Sequence, residues 1–220
     1  PTLPEKGSFS PARSEAGLLV FPRDLSLSAA IWSRMQGYPG DFRYREFHYD
    51  YTYSIPDRDF DSAGIDRVPF GLKVYRITGK ESPKEFYIPL LAQEAVALHA
   101  DDFLRRITER GREVRQAAGE SPVFTLPFDA ELFGHWWYEG PEFLAELFRQ
   151  GPAAEVSFTH LREVLSVAAD LQVCIPSPSS WGQGGYHNYW LNETNSWVVA
   201  EWQRASRAMV RRVNRGVGST

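Results

Sequence analysis

Residues 123–140, VFTLPFDAELFGHWWYEG, constrain this chain more than any other stretch. Val123, Phe124, Thr125, Leu126 and Phe128 read as a short buried strand, since β-branched and aromatic residues suit a pleated, packed surface. Asp129 stands at its end. Glu131, His135, Trp136, Trp137, Tyr138 and Glu139 follow, before Gly140-Pro141 opens a helix. A carboxylate at a strand end, backed by rings and a histidine, suits a carbohydrate site. Sugar rings stack on aromatic faces, and carboxylates act on the glycosidic bond.

Aromatic content supports two readings. Seven Trp, ten Tyr and fourteen Phe make up 14% of the 220 residues. They form either an aromatic-rich core or a set of sugar-stacking platforms, and both uses fit. The length suits one large domain, or one domain with an appendage. A net charge of −4 argues against a nucleic-acid partner. The single cysteine, Cys174, excludes a disulfide within the chain and a multi-cysteine metal site; flanked by Val173 and Ile175, it reads as a buried, inert thiol. The five histidines are scattered, with no H-x-H or H-E-x-x-H pattern, so no metal site is expected. Neither glycine fingerprint for nucleotides occurs, and no cofactor is expected. No apolar run is long enough to span a bilayer and no leader pattern is visible, so no membrane partner and a soluble, cytoplasmic protein are expected. The chain opens on Pro1 rather than Met, which reads as a processed end or an internal piece of a longer chain.

Taken in order, residues 1–16 read as a loop and Leu18–Phe21 as a short strand ending at Pro22-Arg23-Asp24. A short helix or turn over 25–36 carries Trp32. Residues 42–55 are dense in tyrosine and extended or irregular. Residues 70–78 alternate like a strand. The longest helix spans 90–118, with His99 on or beside its buried stripe. A helix follows Pro141 to Gln150. Thr159 is expected to cap a helix running to about Asp170. Leu171–Ile175 is a strand, followed by a glycine loop bearing Trp181. The last helix, 192–212, carries Val198, Trp202, Ala205, Met209 and Val213 as an apolar stripe, placing Trp202 in a core. Alternating strands and helices over 121–175 predict an α/β arrangement, in a barrel or an open sheet. Functional groups then belong at the C-terminal ends of strands, which selects Arg23-Asp24, Asp129 and Trp181.

Asp129 is the first catalytic candidate, against the alternative of a turn or cap carboxylate. Neighbouring rings are expected to shield its carboxyl and favour the acid form. Glu131 lies too close along the same segment to oppose it across a scissile bond, so it reads as a contact to substrate hydroxyls. His135 reads either as a contact to a sugar hydroxyl or carboxylate or as a structural hydrogen bond, and Trp136, Trp32 and Arg23 are candidate substrate contacts. Trp181, hard to bury in a loop with Gly182, Gly184 and Gly185, is a candidate stacking platform.

PFDAELFGHWWYEGP at 127–141 resembles the fourth signature of glycoside hydrolase family 57. SSWGQGGYHNYWLNETNSW at 179–197 resembles the region that follows it in the family's 1,4-α-glucan branching enzymes, and GYPGD at 37–41 with YREF at 44–47, and GLKVYRITGK at 71–80, are similar to segments of the same enzymes. The resemblance covers roughly residues 17–212. It implies the later part of a distorted, TIM-like (β/α)7 barrel over 1–175, with an insertion at about 42–90. A cleft loop and the start of a helical C-terminal region would follow over 176–220. It implies a retaining double displacement on an α-glucan, cleaving α-1,4 and forming α-1,6 linkages. Asp129 would be the general acid/base, and Trp181 and Trp190 would line the glucan cleft. The family's histidine signature and its nucleophile-bearing signature have no counterpart in these residues. A missing N-terminal segment or partner chain is therefore expected to supply the nucleophile, and the chain alone to be inactive and unstable. A 4-α-glucanotransferase or α-amylase of the same family, and a non-catalytic glucan-binding fragment, are the alternatives.

Overall fold

In chain order the elements are β1 (Ala12–Ser14), β2 (Leu19–Val20), α1 (Leu25–Trp32), α2 (Asp57–Ala63), α3 (Pro89–Ala118), α4 (Gly140–Gln150), α5 (Leu161–Val167), β3 (Gln172–Cys174) and α6 (Ser196–Val217). The computed structural model describes residues 7–32, 37–80, 83–167, 171–180 and 185–217. It divides between Cys174 and Ile175 into two units. The architecture is mixed α/β and mostly helical, with one small sheet.

In the first unit the sheet has the order β2-β1-β3. β1 pairs antiparallel with β2 and parallel with β3, where Ser14 meets Cys174. Cys174 is buried there with a free thiol, matching the reading of its apolar neighbours. The long helix is realised almost as its periodicity requires. Pro89 sits at its first turn and Gly119, at φ 73°, ends it in the left-handed conformation open to glycine. Ala92, Ala95 and Ala100 are fully buried on α3, with Val96, Phe103 and Leu104 beside them. Such small residues let neighbouring elements approach closely. α4 packs against α3 through Phe143 and Leu147, while α1 adds Leu27 and Ile31.

Trp137 completes this core. It is 2% exposed, 4.9 Å from Phe143 and 5.6 Å from Tyr44 between ring centres. Residues 132–140 fold tightly to put it there. Trp137 N–H donates to the Leu132 carbonyl, and the Trp137 carbonyl accepts from both Gly134 and Gly140. A Cβ on Gly140 would lie 2.8 Å from the Phe133 Cα, so only glycine fits this turn.

Several local expectations are corrected. Residues 123–128 run extended, yet pair only through a single parallel bridge, Arg23 to Thr125. The next donors of that ladder would be residues 22 and 127, and both are proline, which stops it from lengthening. Residues 70–78 likewise pair through bridges at Tyr75 and Arg76 rather than a full strand. α5 starts at Leu161, so His160 rather than Thr159 serves its first turn: His160 Nδ1 accepts from the Glu163 N–H at 3.3 Å, and the Thr159 hydroxyl donates to the Glu163 carboxylate. The predicted extension of that helix to Asp170 falls outside the described residues.

In the second unit, α6 is amphipathic as expected, but Trp202 is 71% exposed rather than in a core. An apolar stripe is buried only where another element covers it, and no other helix of the α class or strand is described in that unit.

Trp137→Ala is expected to destabilise the first unit by about 3–5 kcal/mol, the usual cost of emptying a buried aromatic site. Urea unfolding of the protein measures this, and an unchanged midpoint would contradict the central place given to Trp137.

Candidate active site

The buried Trp137 turns its neighbours outward, so Trp136 and Tyr138 are 52% and 43% exposed. Trp136 faces the Phe47 ring at 4.5 Å, and His135 meets the same ring edge-on at 5.1 Å. Residues 45–48 thus form one wall of a cavity of about 180 Å³, and Trp136 and Trp137 form another. Trp32 closes a third side. Its indole N–H donates to the Pro127 carbonyl at 3.4 Å and its ring lies 5.9 Å from Phe128. That contact ties the cavity to the segment ending in Asp129.

Asp129 is exposed and precedes the 3-10 turn Ala130–Leu132, without using its side chain as a cap. Its backbone carbonyl accepts from Leu132 N–H at 3.1 Å, which sets the turn and leaves the carboxylate facing outward. The expectation that neighbouring rings shield this carboxyl is not met. Glu131 is exposed one turn on, and its carbonyl accepts from Trp136 N–H at 3.0 Å. Arg23 is half-buried at the bridge to Thr125, four residues before Asp129. Trp190 is 58% exposed in the second unit, 5.2 Å from the Tyr189 ring. Trp181 lies outside the described residues. The structure therefore gathers Trp32, His135 and Trp136 with a wall that the sequence reading did not single out as part of the site. Arg45, Glu46, Phe47 and His48 were noticed as part of a tyrosine-dense segment, and the first three within the YREF resemblance, but not as site residues.

The polar groups of that wall are ordered. Glu46 Oε1 accepts from His48 N–H at 2.8 Å, and Lys84 Nζ stands 3.9 Å from Oε2. The Arg45 guanidinium lies over the Tyr138 ring at 3.3 Å, a cation–π contact. Behind the wall, the Tyr44 hydroxyl is 2.7 Å from His99 Nδ1, and Asp41 Oδ2 is 3.4 Å from His99 Nε2. Burial lowers the His99 pKa against the pull of Asp41, favouring the neutral imidazole. Burial also works to raise the Asp41 pKa, but the Arg43 fork at 2.9 and 2.7 Å outweighs it and holds that carboxyl low. A satisfied histidine beside the core is thus what His99 provides. Among the described residues, no three His, Cys, Asp or Glu side chains gather to hold a metal ion, and no helix is long and apolar enough to cross a membrane.

Glu139 is the titratable group the sequence reading passed over. It is 4% exposed. Burial raises its pKa, although Arg45 N–H, Tyr87 and the Arg45 charge pull the other way. Its position, two residues after Trp137 on the same inward-facing alternation, was the available signal.

An aromatic cavity with a polar wall and an exposed carboxylate nearby can hold a polyhydroxylated ring by its faces and edges. Because the folded-state pKa of Glu139 is raised, its contribution to stability is intact below the ordinary carboxylate range and is lost as pH rises through the raised value. Glu139→Gln is expected to flatten this fall in Tm as pH rises above the ordinary carboxylate range. Parallel Tm–pH curves for the two proteins would contradict that.

No family model matches the chain. A 1,4-alpha-glucan branching enzyme of Thermococcus kodakarensis is 33% identical over 207 residues, covering 91% of this chain and 28% of that protein. The crystal structure of that family 57 enzyme, in complex with glucose and additives, superposes with a TM-score of 0.73 over 86% of this chain and 32% of its own, at 32% identity. A probable 1,4-alpha-glucan branching enzyme of Mycobacterium tuberculosis is 37% identical over 196 residues, covering 83% of this chain and 34% of that one. A structure described as a novel alpha-amylase, from Thermotoga maritima, gives a TM-score of 0.78 at 33% identity, over 99% of this chain and 41% of its own. The chain thus spans about a third of the length of the relatives it matches. In sequence and in fold, it is similar to one segment of the 1,4-alpha-glucan branching enzymes of glycoside hydrolase family 57.

Proposed function

We propose that this chain is the acid/base-bearing segment of a family 57 enzyme that transfers α-glucan chains, forming the later part of its (β/α)7 barrel. The observation that carries this reading is the placement of Asp129. It is exposed, it follows the segment tied to Trp32, and its carbonyl accepts from the N–H of Leu132, which lines the cavity with Phe47 and Trp136. In a retaining double displacement, a carboxylate attacks the anomeric carbon while Asp129 donates a proton to the departing glycosidic oxygen. The bond to that oxygen breaks, and a covalent glycosyl-enzyme forms. Asp129, now ionised, takes the proton from the 6-hydroxyl of an acceptor glucan as that oxygen attacks the anomeric carbon. The nucleophile returns as a free carboxylate and an α-1,6 linkage results. Glu131 does not serve as that nucleophile, because it lies on the same short turn as Asp129 and cannot approach the sugar from the opposite side. Residues other than these 220 supply it. His135, Trp136 and Trp32 seat the glucan, with Glu131 at its hydroxyls and Arg23 behind the Asp129 segment.

A second reading, hydrolysis or α-1,4 transfer without branching, is favoured by the likeness to the Thermotoga maritima structure described as an alpha-amylase. The two readings share the acid/base step and differ in the acceptor.

Asp129→Asn in the protein with its complete flanking sequence is expected to lower turnover of amylose by about 10²- to 10⁴-fold, the usual contribution of a positioned acid/base. Turnover near the wild-type rate would sink the assignment. Enzymatic debranching of the wild-type product then separates the readings. New α-1,6 branch points support branching, and shortened or rearranged α-1,4 chains alone support the amylase or 4-α-glucanotransferase reading.

A further inference from the structure

The wall formed by residues 45–48 is held from one side by backbone pairing. Tyr44 carbonyl accepts from Ile77 N–H at 2.8 Å, and Glu46 N–H donates to the Tyr75 carbonyl at 2.8 Å. In an extended segment, successive N–H groups point to opposite sides, so the Arg45 N–H between them faces away from residues 75–77. A neighbouring strand would normally receive it. Here the acceptor is a side chain: Glu139 Oε1, 3.1 Å from Arg45 N.

Glu139 is well placed to fix this wall. It is buried, and its own carbonyl accepts from Phe143 N–H at 3.0 Å, which anchors it to the first turn of α4 and so to the aromatic core. The Arg45 guanidinium is engaged over Tyr138 rather than paired with the carboxylate. The Tyr87 side chain also interacts with this buried carboxyl. A carboxyl taken out of water is costly, and the fold retains it where it makes a specific bond to the cavity wall.

We infer that Glu139 is a positioning residue for the cavity: by accepting the Arg45 N–H it sets Arg45, Phe47 and His48 at their distance from Trp136, and thereby fixes how a glucan ring is seated. The inference rests on the reading of this cavity as a glucan site. Glu139 touches no reacting atom, so it acts on substrate binding through the wall and not on the bond-breaking step.

The test uses the protein with its complete flanking sequence and amylose as substrate. Glu139→Ala is expected to raise KM about tenfold while kcat changes less than about threefold, the pattern of lost uniform binding. Glu139→Gln keeps an acceptor oxygen at the same reach and is expected to restore KM to within about threefold of wild type. If Glu139→Ala does not fold, Glu139→Asp, shorter by one methylene, is read in its place. Hydrogen exchange supplies a readout that needs no glucan: the Arg45 amide loses protection in the Ala or Asp variant and keeps it in Gln. Unchanged Arg45 exchange in the Ala or Asp variant, a Gln variant as impaired as that variant, or a kcat loss at constant KM would each overturn the inference. Loss of exchange protection with KM unchanged would overturn it too, by separating the wall from substrate seating. A wild-type protein inert toward every α-glucan would instead defeat the glucan reading itself, with the exchange measurement still deciding whether Glu139 holds the wall.

Discussion

The burial of one indole, Trp137, is the constraint on which the first unit depends. It lies at 2% exposure between Phe143 of α4, Tyr44 of the 42–55 segment and Phe133 of its own turn. A ring of that size removes a large apolar area from water and meets its aromatic neighbours in tilted geometries that suit their quadrupoles. Two parts of the chain that are far apart in sequence, the segment around Tyr44 and residues 133–143, are thereby brought to one point. The turn that delivers the ring requires a glycine at 140, because Phe133 occupies the space a Cβ would need.

Site geometry follows from that burial. Local alternation around Trp137 sends Trp136 outward to Phe47 and brings Glu139 inward to Arg45. The cavity is therefore not a separate construction laid over the core. Its aromatic walls are the outward faces of residues whose immediate neighbours are core, which makes them rigid without long loops to order. The 42–55 segment is steadied from its far side by Asp50, fully buried, whose carboxylate accepts from Thr52 N–H, the Thr52 hydroxyl and Gly71 N–H.

Much of the helical framework was legible in the residues. The stripe of α3, the proline opening α4 and the short strand ending in buried Cys174 all rest on local periodicity and composition, and all are present. Residues 70–78 hydrogen-bond to 44–51 on one side and 85–87 on the other without forming a continuous strand, while 123–128 makes one bridge, since the next donors of that ladder fall on Pro22 and Pro127. The burial expected for Trp202 depended on a covering element that a helical stripe alone does not specify. Asp129, Trp32, His135 and Trp136 were visible as candidates through their residue types and setting. Phe47, His48 and Glu139 were not, because their part in the cavity arises from contacts across about ninety residues of chain.

By itself, the sequence determined the long amphipathic helix, the glycine–proline start of α4, the lone buried thiol and a motif dense in carboxylate, histidine and tryptophan whose resemblance to family 57 is matched by sequence and structural relatives. These are properties of adjacent residues and of periods along one element. Only the tertiary structure decided which ring of the Trp136-Trp137 pair is core and which is cavity wall, that Asp129 faces solvent, and that Glu139 reaches Arg45. The physical reason is that burial and hydrogen bonding are settled between segments. A residue's type states what it can do, and only the packing of distant segments selects which of those uses it has.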